Sequence, residues 1–138
     1  MVTVRSAGAR YAQEVTVGEH RLTADEPAAM GGGDRGPNPY ELLLASLGTC
    51  TSMTLQMYAQ RKQWPLEGVT VRLRIDRIHA ADCADCETTE GKVDRIDREI
   101  ELAGPLSAEQ RAALLAIADK CPIHRTLKGE ISIRTQGR

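Results

Sequence analysis

Residues 42–57 read LLLASLGTCTSMTLQM, a run without a single charge that carries a thiol, Cys50, in its middle. Apolar or small side chains stand on every side of a 3.6-residue turn, which predicts a helix buried on all faces. Its start is marked by Asn38 as a cap, Pro39 in the first turn and Glu41 at the third helical position, a capping-box arrangement. Polar residues return only at QRKQ, so the helix is expected from Pro39 to about Gln63. About 24 residues of helix span roughly 36 Å, longer than one small domain needs, so a partner subunit is expected to share it.

On the N-terminal side of this helix, VTV and EVTVGEHRLTA alternate around a turn at Gly18 and predict a hairpin or meander. The run DEPAAMGGGDRGPN, residues 25–38, is too rich in glycine and proline for either regular element and is expected to be a loop. On the C-terminal side, Val69, Val71, Leu73 and Ile75 alternate with Arg72 and Arg74, the pattern of a half-buried strand. HAADCADCETTEGK interrupts, and VDRIDREIELAG supplies another strand. Ser107 and Gln110 form a second capping box, opening the amphipathic helix AEQRAALLAIADKC that Pro122 ends or bends. EISIRTQ, residues 130–136, alternates through Ile131 and Ile133 and predicts a final strand. This order implies one α+β domain over residues 1–138, with helices on one face of an antiparallel-rich sheet.

With 41% apolar and 27% charged residues, a chain of 138 residues is an ordinary globular one, large enough for a real core. It has no Phe and only 3% aromatics, so few platforms exist for stacking bases, and a net charge of −1 does not make a phosphate-binding surface. Nucleic acid is therefore not an expected partner. MVTVRSAGAR is too polar for a secretory signal, and no apolar run reaches the ~18 residues of a membrane span. The expected compartment is the cytoplasm, where Cys50, Cys83, Cys86 and Cys121 should rest as thiols.

Each cysteine admits two readings. Cys50 is either a small hydrophobe in the core or a reagent, and the second reading needs a cation from elsewhere in the chain to hold a thiolate. Cys121, in DKCPIHRTL, lies where the end of a helix dipole disfavours a thiolate while Lys120, His124 and Arg125 favour one. Cys83 and Cys86 form a C-x-x-C preceded by His79. They could supply two thiolates and an imidazole to a metal, short of a fourth ligand, or simply belong to an acidic hairpin tip. A thioredoxin-like pair would open a helix, whereas this one follows a strand.

Taken together, GPNPYELLLASLGTCTSMTLQMYAQRK and, about seventy residues on, ADKCPIHRTL resemble the superfamily of osmotically inducible protein C and organic hydroperoxide resistance proteins. The branch carrying the HAADCADCE insertion is the most similar. The resemblance implies an intertwined homodimer with the cysteine helices at its centre. It also implies thiol peroxidase chemistry on organic hydroperoxides, with Cys50 as the peroxidatic thiol, Cys121 as the resolving thiol, no required cofactor, and a dithiol reductant such as a lipoylated protein. Peroxidase members place a Glu directly after N-P, paired with an Arg that activates the thiolate; here Tyr40 stands there, with Glu41 beside it. Glu41 precedes Cys50 by nine residues, roughly 900° of helix rotation and hence the opposite face of a straight helix. Arg10 matches the activating Arg by position, with Arg35 a second cation near the helix start. Two other functions stay open: a redox or metal-binding module using His79, Cys83 and Cys86, and a binding protein for a small apolar ligand.

Overall fold

The structure, a computed structural model, describes all 138 residues and forms two compact units, residues 1–45 and 46–138. In the first, strands β1 (Val2–Ser6), β2 (Gln13–Val17) and β3 (His20–Ala24) make an antiparallel meander in the order β1-β2-β3. Val17 pairs with His20, leaving a two-residue turn, and Gly18 takes the left-handed φ of 57° that such a turn requires at its first central position.

The glycine-rich loop is ordered around one buried carboxylate. Asp25 accepts hydrogen bonds from the backbone N–H groups of Glu26 (2.8 Å), Gly33 (3.1 Å) and Arg35 (3.2 Å). A Cβ on Gly36 would run into the Thr23 carbonyl, so no larger residue fits that approach.

Helix α1 (Pro39–Lys62) begins where the capping signal places it: the Glu41 N–H donates to Asn38 Oδ1 at 2.9 Å. It ends at Gln63, whose φ of 57° turns the chain ahead of Pro65.

The second unit is built on a long antiparallel hairpin of β4 (Gly68–His79) and β5 (Lys92–Ala103), in register from Gly68↔Ala103 to His79↔Lys92. α2 (Ala108–Ala118) and α3 (Pro122–Lys128) follow. Both halves of the second capping box are present: Ser107 Oγ accepts from the Gln110 N–H and Gln110 Oε1 accepts from the Ser107 N–H. Leu55 and Ala59 of α1 and Leu114 and Ala118 of α2 form the buried core, flanked by Trp64, Val69, Ile100 and Leu102. The alternation of β4 is therefore real. Its apolar side chains meet the helices, while Arg72 and Arg74 pair on the opposite face with Glu101 and Asp97. Those pairs are exposed and each contributes at most about 1 kcal/mol. No helix is long and apolar enough to cross a membrane.

Three expectations are corrected. α1 is not buried on every face: Leu47, Thr51, Leu55 and Ala59, spaced four apart, form one buried stripe, whereas Met53 and Met57 are 56% and 61% exposed. A two-stranded sheet and one crossing helix cover only one side of a helix. The EISIRTQ segment forms no strand, and Ile133 is 86% exposed. Alternation makes a strand only where a sheet edge accepts its ladder, and the second unit's sheet contains β4 and β5 alone. The amphipathic helix stops at Ala118, and Pro122 opens a further helix instead of simply closing the last one.

Candidate active site

Cys50 stands on α1, half-buried, and Thr51 next to it belongs to the fully buried stripe. Thr51 is β-branched and polar inside a helix, and its hydroxyl is satisfied locally by donating to the Leu47 carbonyl at 2.7 Å. From the short link between α2 and α3, Cys121 brings a wholly buried thiol to the same place, with Sγ 3.7 Å from Thr51 Oγ1. Both cysteines are free, and the Cys50 thiol is among the groups that favour ionisation of Cys121.

Cys121 caps α3: its sulfur accepts from the His124 N–H at 3.3 Å. This reverses part of the expected electrostatics. The carbonyl end of α2 disfavours a thiolate at this point, but the opening turn of α3 presents an N–H to it. Burial pushes the Cys121 thiol up, whereas the His124 N–H, the Thr51 hydroxyl, the Cys50 thiol and the positive charge of Arg98 pull it down. The lowering influences win, and Cys121 ionises below the ordinary thiol value of 9.0.

Arg98 is the cation of this site, and the sequence reading passes over it. Its guanidinium, whose side chain is only 11% exposed, donates through Nη1 to Thr51 Oγ1 at 3.0 Å and through Nη2 to Asp119 Oδ1 at 2.9 Å. Nη2 also lies 3.1 Å from His124 Nδ1. A guanidinium only donates, so in this contact the ring nitrogen is the acceptor. A signal for Arg98 exists in the sequence. In β5 the residues on the core side are Ile96, Arg98, Ile100 and Leu102, so strict alternation puts a charge among aliphatics, opposite Leu73. A charge placed there needs partners, and Thr51, Asp119 and His124 provide them.

The other expected residues lie as follows. Arg10, itself in a left-handed backbone conformation, donates through Nη1 to the Gly31 carbonyl at 3.0 Å within the first unit. Arg35 gives its backbone N–H to Asp25, and Glu41 gives its own to the α1 cap. At the tip of the β4–β5 hairpin, Cys83 and Cys86 are joined as a disulfide. The grouping of ligand atoms there is Cys83, Asp85 and Cys86, all within 4.8 Å of one another; His79, exposed at the end of β4, is not part of it.

The family model described as OsmC-like protein matches residues 31–136. No curated protein matches the chain. Among solved structures, an organic hydroperoxide resistance protein from Legionella pneumophila aligns at TM-score 0.66 and 22% identity, covering 94% of this chain and 88% of that one. An OsmC-like protein from Mycoplasma pneumoniae aligns at TM-score 0.68 and 19% identity over 94% and 86% of the two chains. The organic hydroperoxide resistance protein OhrB of Bacillus subtilis aligns at TM-score 0.62 and 20% identity, over 94% and 90%. At these identities the likeness shows the fold: a mixed α+β architecture with antiparallel strands and three helices.

Proposed function

The chain belongs to the OsmC-like protein family, and from that premise we propose that it reduces organic hydroperoxides through Cys50 and Cys121 in a single OsmC-like domain. The observation that carries this reading is a free, buried Cys121 whose sulfur lies 3.7 Å from the Thr51 hydroxyl, next to the free Cys50, with the buried guanidinium of Arg98 on the same hydroxyl. A buried thiol that receives a backbone N–H and lies in the field of a guanidinium is poised to lose its proton.

In the proposed cycle the pair's negative charge rests mainly on Cys121, where the His124 N–H, Thr51 and Arg98 favour it. Proton transfer from Cys50 to Cys121 yields a thiolate on the more accessible sulfur. That thiolate attacks the distal oxygen of the hydroperoxide, the O–O bond breaks, and the alkoxide leaves to be protonated as an alcohol. Cys50 is then a sulfenic acid, and the Cys121 sulfur displaces its oxygen as water to form the Cys50–Cys121 disulfide. Two thiols and one hydroperoxide give one disulfide, one alcohol and one water. A dithiol, for which a lipoylated protein is the family-implied candidate, restores the pair by exchange. In the reducing cytoplasm such a donor is available, and no cofactor is required.

Arg98 is proposed as the activating cation, acting through Thr51. Arg10 matches by position the Arg of the family's Arg and Glu pair, whereas Tyr40 stands at the Glu position with Glu41 beside it; the role of Arg10 is tested beside that of Arg98. The homodimer is likewise proposed: Met53 and Met57 leave an apolar face on α1 that a second copy of the chain would cover.

The decisive experiment is turnover of cumene hydroperoxide with dihydrolipoamide. Cys50→Ser should abolish it. Cys121→Ser should leave one sulfenic acid, trapped by a dimedone reagent, with little turnover. Undiminished activity in Cys50→Ser would refute the reading. Arg98→Met and Arg10→Met, compared at saturating reductant, show which cation the rate requires.

A further inference from the structure

The tip of the β4–β5 hairpin is a second sulfur centre, separate from Cys50 and Cys121. The thiol site lies where Arg98 faces Leu73 in the β4–β5 register, and the tip begins after His79, about 20 Å further along the strand. The tip is a constructed turn. Ala80 is buried and donates its N–H to the Gly91 carbonyl at 2.8 Å, closing the hairpin's neck, and Cys83 donates its N–H to the Ala80 carbonyl at 3.1 Å. Beyond that neck the chain brings together the sulfurs of Cys83 and Cys86 and a carboxylate oxygen of Asp85 within 4.8 Å, with Cys83 Sγ 3.3 Å from Asp85 Oδ1. Asp82, Glu87 and Glu90 lie in the same loop, against the single cation Lys92.

We propose that, with Cys83 and Cys86 reduced, this tip binds a zinc-class divalent cation through two thiolates and the Asp85 carboxylate, and that oxidation of the sulfurs to the disulfide expels it. Two thiolates and one carboxylate make a borderline-soft donor set that suits Zn²⁺, and three protein ligands leave a fourth position for water. The loop's carboxylates attract the ion and, without it, disfavour thiolates; a bound dication inverts that balance and holds both sulfurs ionised. Each sulfur can serve the metal or its neighbour, not both, so the two states exclude one another. With an organic hydroperoxide as oxidant, the zinc dithiolate, one hydroperoxide and two protons give the disulfide, an alcohol, water and free Zn²⁺. The two sulfurs lose two electrons, and the O–O bond accepts them.

This inference does not rest on the proposed chemistry of Cys50 and Cys121, and its test removes them. Full-length Cys50→Ser/Cys121→Ser protein, reduced and freed of reductant under anaerobic conditions, is titrated with Zn²⁺ against a chromogenic chelator, and with Co²⁺ to read thiolate-to-metal absorption. The expected result is one ion per chain with that absorption present. Asp85→Asn, which keeps both cysteines, should weaken binding by roughly 10-fold or more. Further replacement of Cys83 and Cys86 by Ser should abolish it with the circular dichroism spectrum unchanged. Addition of cumene hydroperoxide should consume two thiols and release the ion together. The proposal is overturned if the reduced protein holds no ion or if the chain lacking Cys83 and Cys86 binds equally well. It is also overturned if the thiols survive the hydroperoxide, or if the ion stays bound after they are consumed.

Discussion

Arg98 donates through Nη1 to the Thr51 hydroxyl at 3.0 Å, joining the core side of β5 to the buried stripe of α1 next to Cys50. The same hydroxyl is 3.7 Å from Cys121 Sγ, so one threonine connects the buried cation to the buried sulfur. A guanidinium among Ile96, Ile100 and Leu102 would be costly if left alone. Its position is intelligible as part of a charge-holding site.

Replacing Arg98 with Met keeps much of the side chain's volume and removes the positive charge. Cys121 should then ionise at higher pH, read from thiolate ultraviolet absorbance in a Cys50→Ser background. The thiolate population near neutral pH should fall, with the His124 N–H still holding part of the depression. Arg98→Lys should recover the charge only partly, because an ammonium cannot present the fork that reaches Thr51 and Asp119 together.

Thr51→Val preserves shape and deletes the hydroxyl. An Arg98 N–H and the Cys121 sulfur both lose a partner in a buried place. Urea denaturation should show a loss of about 1–3 kcal/mol. Thr51→Ser keeps the hydroxyl and should retain most of the ionisation behaviour of Cys121.

The depressed ionisation of Cys121 has a pH signature in stability. The folded thiol gives up its proton below the unfolded value of 9.0, so between the two the unfolded chain binds more protons and stability rises with pH. The contribution is complete above about 9 and is lost as pH falls through the folded value. The stability of the parent relative to Cys121→Ser, measured by denaturation from neutral to alkaline pH under reducing conditions, should grow over that window and then level off. A flat difference would show that the folded thiol is not perturbed.

Leu55 is wholly buried between α1 and α2, in the cluster with Ala59, Leu114 and Ala118. Leu55→Ala should cost about 2–5 kcal/mol in thermal or chemical unfolding. Met53→Ala, on the exposed side of the same helix, should cost the isolated chain little.

If a second copy covers that exposed side, Met53→Asp with Met57→Asp should shift the sedimentation coefficient from dimer to monomer without melting α1. Two buried, unpaired carboxylates at an interface are strongly unfavourable, whereas on a solvated helix face they are tolerated. A sedimentation coefficient that does not change would remove α1 from the interface.

Several elements were determined locally and were legible before any tertiary structure. Asn38 and Ser107 cap their helices through side chains three residues from the groups they satisfy, and Val69 to Ile75 alternate because a strand has two faces. Cys50 and Cys121 could be singled out by the segments around them. Their meeting could not, since Cys121 reaches Thr51, the neighbour of Cys50 and 70 residues away, only when α1 and the α2–α3 link pack in one unit. The same holds for the cation: Arg98 looks like one more charge in a polar strand until β5 turns that face to the helices. The C-terminal segment shows the converse. Ile131 and Ile133 alternate like a strand, yet its hydrogen bonds need a neighbouring edge that local sequence cannot supply. Capping and face alternation act over a few residues, so sequence determined them; ion pairing and sheet addition depend on which surfaces meet, so only the tertiary structure decided them.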